Sequence, residues 1–220
     1  MDAMIEHLVI NRHHDGLISL ANVRGWFDQR VHNSAMASRG LDTEMGHLSC
    51  FVPGMLALGV HKGKEGLLSF EKRLEYLEVA EEIMRTCYSM YTSTPTGLAG
   101  ENYVPFLHRM VVKDGRSMLR PETVESLMIL HRVTGKAKYR EWGWEIFGAI
   151  QRHCRVAGGG YSGVTDVMTQ ASVVELDNQM QSFFLAETLK YLFLLFSPKD
   201  VLSLDEWVFN TEAHPLLIWS

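Results

Sequence analysis

Leu119-Arg120-Pro121-Glu122-Thr123-Val124-Glu125-Ser126-Leu127 is the stretch from which the rest of this 220-residue chain is read. Proline is tolerated in the first turn of a helix, where its missing N–H would be unpaired anyway. Pro121 therefore predicts a helix start, with a helix running over residues 123–133 and Leu127, Ile129 and Leu130 available for packing. Gly135 is placed to cap it in the left-handed conformation. Glu122 and Glu125 lie three residues apart, on one side of the opening turn. The helix dipole favours acidic side chains there, and an ordinary solvated first turn accounts for both. A second reading sets the two carboxylates, with Arg120 beside them, at the mouth of a helical barrel.

Two other segments repeat the design of a polar entry running into an apolar helix: Glu44-Met45-Gly46-His47-Leu48 and Gln179-Met180-Gln181-Ser182-Phe183. The first predicts an apolar helix over residues 45–59, interrupted at Pro53-Gly54, and the second a helix over 179–196 buried on most sides and ended by Pro198. Between them lie two amphipathic helices. Residues 69–91 carry Leu74, Leu77, Ala80, Ile83, Met84 and Cys87 at helical spacing, and residues 138–154 present Tyr139, Trp142, Ile146 and Ile150. Residues 1–11 read as the end of a helix, His13-His14-Asp15-Gly16 as a turn, 17–27 as a short strand and 30–42 as polar loop. Residues 60–69 read as a Gly-rich connection, 111–119 as a hairpin or tight loop around Lys113-Asp114-Gly115-Arg116, 157–174 as loop and short strand, and 207–215 as a compact tail. Apolar helices thus alternate with amphipathic ones, which suits a toroid of helical hairpins with the apolar helices inside. The loops are long and share no fixed period, which argues against a solenoid.

Composition sets outer bounds. A hydrophobic share of 46% and a charged share of 21% are those of a globular protein. A net charge of -5 with no basic tract excludes nucleic acid as a partner. The longest apolar run, residues 191–196, is too short to span a bilayer, and the first residues lack the pattern of a signal peptide. Three cysteines are too few for a disulfide scaffold, and the odd number leaves at least one unpaired within the chain.

Met45-Gly46-His47-Leu48-Ser49-Cys50-Phe51, Gly97-Leu98-Ala99-Gly100-Glu101, residues 119–127, Glu141-Trp142-Gly143-Trp144, residues 181–192 and residues 208–215 together resemble class I α-mannosidases, glycoside hydrolase family 47. Within it they are most similar to the Golgi-type α-1,2-mannosidases that trim high-mannose N-glycans. The resemblance is dense from about residue 43 onward; before that it rests on position in the chain. It implies an all-α (α/α)7 barrel with short β-hairpins in the loops, a bound Ca2+, and hydrolysis of terminal α-1,2-linked mannose with inversion. Family catalytic domains are roughly twice this length. Residues 1–220 are therefore expected to form the C-terminal part of one such domain, about half of the barrel, and to be inactive alone, because the family's general acid and first hairpins lie in the other half.

Inverting hydrolysis needs one carboxylic acid for the leaving oxygen and one carboxylate to activate water on the opposite face. By resemblance Glu122 is the candidate base. Thr211 matches the calcium ligand, through its hydroxyl and carbonyl oxygens; by itself Asn210-Thr211-Glu212 is an ordinary turn. Calcium takes six to eight oxygens, so waters and sugar hydroxyls would complete the shell, the waters held by Glu122, Glu187 and Glu212. Phe183 matches a platform for the sugar ring and is otherwise a core aromatic. Glu187, four residues on, is costly to bury unpaired in so apolar a helix, which points to function even without the family. Arg120 and Glu125 match substrate-binding positions, with a plain salt bridge as the alternative for Arg120. His47 and Glu101 also match substrate contacts, and His47 is otherwise a hydrogen-bonded core histidine. Cys50 and Cys87 match the family's disulfide, which implies a secretory-pathway lumen, Golgi or endoplasmic reticulum. Cys154 has no counterpart and reads as a buried thiol. Membrane attachment would come only through an upstream anchor, and the partners would be high-mannose N-glycans on glycoproteins. A non-catalytic mannosidase-like module that binds glycans in glycoprotein quality control is the alternative function, and a helical protein-binding scaffold a third.

Overall fold

The computed structural model describes residues 1–10, 17–23, 41–63, 68–106 and 109–219. The turn expected at His13-His14, the loop over 30–39 and the centre of the Gly-rich connection lie outside these residues. The chain opens with a short helix, α1 (Asp2–Leu8), followed by short paired strands: β1 (Val9–Ile10) with β2 (Ser19–Leu20), and β3 (Asn22–Val23) with β4 (Leu41–Asp42), both antiparallel.

The expected helix over 45–59 is instead three pieces. β5 (Met45–Gly46) leads into a 3-10 turn, His47–Phe51, and then α2 (Val52–Lys62). Pro53 does not interrupt a helix; it sits in the first turn of α2, where a proline costs no hydrogen bond. Gly54 lets α2 approach the central helix closely, since a Cβ there would lie 3.0 Å from Ser126 Oγ. Gly54 N–H donates to that hydroxyl at 2.9 Å, and the hydroxyl donates on to Cys50 C=O at 2.5 Å.

α3 (Phe70–Thr92) begins where the sequence places it, with Ser69 Oγ accepting from Lys72 N–H as the N-cap. Its buried stripe keeps Ala80, Ile83, Met84 and Cys87 of the expected set, with Leu77 partly buried against the core, and extends beyond it. Tyr76, Ala80, Ile83, Met84, Cys87, Met90 and Tyr91 are buried, whereas Leu74, in the second turn of the helix, is exposed. β6 (Asn102–Phe106) and β7 (Arg109–Asp114) then form a hairpin that adds to β5 in the order β5-β6-β7. The hairpin therefore lies earlier than expected. Asp114-Gly115-Arg116 ends a strand and does not reverse it: the Arg116 guanidinium clamps the Asp114 carboxylate at 2.6 Å as the chain leaves the sheet.

α4 (Glu122–Thr134) is buried nearly all round and ends on Gly135 in the left-handed conformation, as its sequence requires. α5 (Lys138–His153) buries one stripe, Tyr139, Gly143, Ile146 and Ile150, and stacks Trp142 on Tyr88 of α3. After a long loop, Ser182 and Phe183 open the last helix, which passes through a π-helical stretch, Phe184–Leu189, into α6 (Lys190–Phe196). This helix is less buried than its composition suggests. Leu185 and Phe193 are exposed, because α4 and α5 cover only one side of it. The tail is a hairpin of β8 (Trp207–Phe209) and β9 (Pro215–Leu217).

The helices form two layers. α4 packs between α2 and α6, and α3 and α5 lie against their outer sides. Cys50 and Cys87 are disulfide-bonded, with Cα atoms 5.8 Å apart, tying the 3-10 turn to α3. Cys154 is a buried free thiol, pushed up to about 12 by burial and by the charge of Asp177.

Candidate active site

The starts of the inner helices and the loops between them meet at one end of the two layers. Glu122 is the first residue of α4, its side chain only 13% exposed. His47, ahead of α2, faces it with Nδ1 3.1 Å from Glu122 Oε2. Burial pushes the Glu122 carboxyl up, but the hydrogen bond and charge of His47, its own backbone N–H and Arg120 outweigh this and hold it below the ordinary carboxylate value. Glu122 is thus an ionised carboxylate at neutral pH with a fixed donor on one oxygen.

Arg120 precedes the helix. The proline after it restricts it to extended backbone, and Leu119 before it is held in the left-handed region at φ 60, rare for a leucine, with its carbonyl accepting from Thr188 Oγ1 at 2.6 Å. This turn aims the guanidinium across the mouth. Its Nε donates to Glu101 Oε2 at 2.6 Å, and its Cζ lies 5.8 Å from the centre of the Phe183 ring. Glu101 is located by its backbone: its N–H donates to Asp114 C=O at 2.9 Å and its C=O accepts from His47 N–H at 2.8 Å.

Acid accumulates on the other side of Glu122. The Glu125 carboxyl is raised to about 7, first by burial, then by the charges of Glu122 and Glu187, against a weak hydrogen bond from the Tyr191 hydroxyl at 3.4 Å. Glu187, in the π-helical stretch and 9% exposed, is raised by burial and by the charges of Glu212 and Glu122, with Lys190 opposing. A π-turn at such a side chain is a common feature of functional sites. Thr211 and Glu212 occupy the exposed turn of the β8–β9 hairpin, which Lys190 ties to the last helix by donating to Ala213 C=O at 2.9 Å. That turn is shaped by Asn210 Oδ1, which accepts from the N–H groups of Glu212 and His214.

The structure brings His47, Glu101, Arg120, Glu122 and Phe183 together, and sets Glu125 and Glu187, and Glu187 and Glu212, near enough for their charges to act on one another, with Thr211 next to Glu212 in the hairpin turn. Among the described residues, no three His, Cys, Asp or Glu side chains converge closely enough to chelate a metal directly. The repulsion that Glu212 and Glu122 exert on Glu187 is the kind a divalent cation offsets, and Thr211, next to Glu212 in the chain, carries two oxygens suited to a hard cation. Sequence reasoning missed Tyr91, whose hydroxyl lies 2.8 Å from His47 Nε2, and Thr123, whose hydroxyl lies 3.1 Å from the same nitrogen. Thr123 adjoins Glu122 and could have been suspected on that ground; nothing local marks Tyr91, 44 residues from His47.

The profile of glycosyl hydrolase family 47 matches residues 1–218. The chain belongs to this family. A mannosyl-oligosaccharide 1,2-alpha-mannosidase of Arabidopsis thaliana is 56% identical over 176 residues, 80% of this chain and 30% of that protein. The human endoplasmic reticulum mannosyl-oligosaccharide 1,2-alpha-mannosidase is 47% identical over 84% of this chain and 26% of its own length. The chain spans about a quarter to a third of these family members. The alpha-1,2-mannosidase from Trichoderma reesei superposes on 99% of the chain with a TM-score of 0.81 at 26% identity, the match covering 45% of that protein. The two helical layers are thus part of the family's all-α α/α barrel, as the alternation of apolar and amphipathic helices predicts.

Proposed function

We propose that residues 1–220 supply the base side of an inverting, Ca2+-dependent site that hydrolyses terminal α-1,2-linked mannose from high-mannose N-glycans. The observation that carries this reading is the buried, ionised Glu122 held by His47 at the acidic mouth of a family 47 barrel. Inversion needs a base positioned to take a proton from water. Glu122 accepts from His47 on Oε2, and an ionised carboxylate keeps further lone pairs to accept that proton. Arg120, braced by Glu101, offers its remaining N–H groups to sugar hydroxyls, and Phe183 beneath it gives an apolar face for the sugar ring. Glu125, with its carboxyl near neutrality, can donate a hydrogen bond to a hydroxyl as well as accept one. Thr211 would hold Ca2+ through its two oxygens, and Glu122, Glu187 and Glu212 would reach it through water. When bound, the cation offsets the repulsion of these carboxylates and orients sugar hydroxyls. The acid for the leaving oxygen belongs, by resemblance, to the part of the family domain outside this match.

The disulfide and the kinship with mannosidases named for the endoplasmic reticulum support a lumenal place in the secretory pathway, Golgi or endoplasmic reticulum. No described helix is long and apolar enough to cross a membrane. The test is mannose release from a high-mannose N-glycan, with and without a calcium chelator, by the chain completed with the remainder of a relative's catalytic domain. Release should need calcium, and Glu122→Gln should lower it by about 10²–10⁴-fold with circular dichroism unchanged. Undiminished turnover in that variant would sink Glu122 as the base.

A further inference from the structure

Tyr91 stands on α3, an outer helix, yet its hydroxyl reaches the inner layer and meets His47 Nε2 at 2.8 Å. Thr123 Oγ1 approaches the same nitrogen at 3.1 Å and hydrogen-bonds the Tyr91 hydroxyl as well. His47, Tyr91 and Thr123 are 3%, 7% and 0% exposed, so little water competes for these contacts. The other ring nitrogen, Nδ1, faces Glu122. An ionised carboxylate only accepts hydrogen bonds, so it favours a proton on Nδ1, and on a neutral ring that arrangement holds only if Nε2, left a bare acceptor, finds a donor. The hydroxyls supply it. Thr123 donates to Tyr91, Tyr91 to Nε2, and Nδ1–H to Glu122, so the chain of donors ends on the residue next to the one where it began. The disulfide lies at the same level. Cys50 is three residues past His47 and Cys87 one helical turn before Tyr91, so their bond holds the 3-10 turn against α3 where the two rings meet edge to face, centroids 5.8 Å apart.

We propose that Tyr91, backed by Thr123, is a positioning residue that holds His47 in its Nδ1–H tautomer and through it fixes the Glu122 carboxylate. The catalytic consequence rests on the function proposed above; the tautomer does not. A core histidine needs one partner per nitrogen, whereas here two buried hydroxyls converge on one nitrogen and a carboxylate on the other. Free imidazole prefers the opposite tautomer, Nε2–H, so the preference for Nδ1–H must come from these neighbours.

The test is long-range 15N–1H correlation of the chain labelled with 15N-histidine at mildly alkaline pH, with His47→Gln to assign the ring. The expected wild-type signature is a protonated Nδ1 and a bare Nε2. Tyr91→Phe/Thr123→Val removes both donors and should move the ring toward Nε2–H, and Tyr91→Phe alone, which leaves Thr123 within reach, should move it part of the way. A wild-type ring that is doubly protonated or carries its proton on Nε2 overturns the proposal, as does a double variant that keeps the wild-type pattern. Should the double variant not fold, the wild-type spectrum and the two single variants decide. Hydrolysis plays no part in this readout, so failure of the proposed function, read as turnover in Glu122→Gln, remains a separate result.

Discussion

Glu125→Gln should stabilise the chain at alkaline pH and leave it unchanged at acidic pH. The Glu125 carboxyl rises from 4.5 to about 7 on folding, through burial and the charges of Glu122 and Glu187. Between those two values the folded chain holds a proton that the unfolded chain has released. Stability therefore falls as pH rises through this window, by about 1.4 kcal/mol per pH unit. Ionising Glu125 thus costs on the order of 3 kcal/mol above the folded pKa and nothing below the unfolded one. Glutamine keeps the shape and an oxygen for the Tyr191 hydroxyl but has no charge to lose. Urea unfolding followed by tryptophan fluorescence, in chelator, should give coincident stabilities at about pH 4.5 and a variant more stable by about 2–3 kcal/mol at about pH 8. The subtraction reports Glu125 together with its coupling to Glu122 and Glu187, which titrate in both chains. Adding calcium should narrow the gap, because a cation among these carboxylates relieves the repulsion that Glu125 feels. Equal stabilities at both pH values without calcium would refute the account of a buried carboxylate opposed by its neighbours.

Other perturbations bear on what holds the site in place. Replacing Cys50 and Cys87 by alanine opens a crosslink spanning 37 residues and should cost about 4 kcal/mol in the chain-entropy account, read as a lower urea midpoint. Arg132, buried in α4, donates to the carbonyls of Leu194, Val201 and Leu202 at 3.2, 2.9 and 2.7 Å. Arg132→Met should strand these carbonyls and cost about 3–5 kcal/mol, seen as a lower melting temperature. A Cβ at Gly100 would lie 2.5 Å from Asp114 C=O, the group that accepts from Glu101 N–H. Gly100→Ala should therefore destabilise by about 1–3 kcal/mol, measured by urea unfolding, and should displace Glu101 from Arg120.

The sequence by itself determined the helices, because their signals are local. Pro121 before α4, Gly135 after it and the apolar stripes of α3 and α5 act within a turn or two of themselves. Where the reading failed, the deciding partner was distant. Pro53-Gly54 looks like a helix breaker until α4 is seen lying against Gly54. The turn residues at 113–116 look like a hairpin tip until β5 and β6 are seen to extend the sheet. The exposure of Phe193 depends on which neighbours cover the last helix, which its composition does not record. At the site, the types of Glu122, Arg120, Phe183 and Glu187 marked them as candidates, but their chemistry is set by what folding brings near. His47 holds Glu122 in its charged form, while burial and the charges of Glu122 and Glu187 raise Glu125, and burial and the charges of Glu212 and Glu122 raise Glu187. Tyr91 carried no mark at all, because a hydroxyl 44 residues from its partner becomes a hydrogen bond only once the disulfide and the packing of α3 bring them together. Propensity and periodicity are properties of neighbours along the chain. Protonation and donor direction are properties of neighbours in space, and only the tertiary structure supplies those.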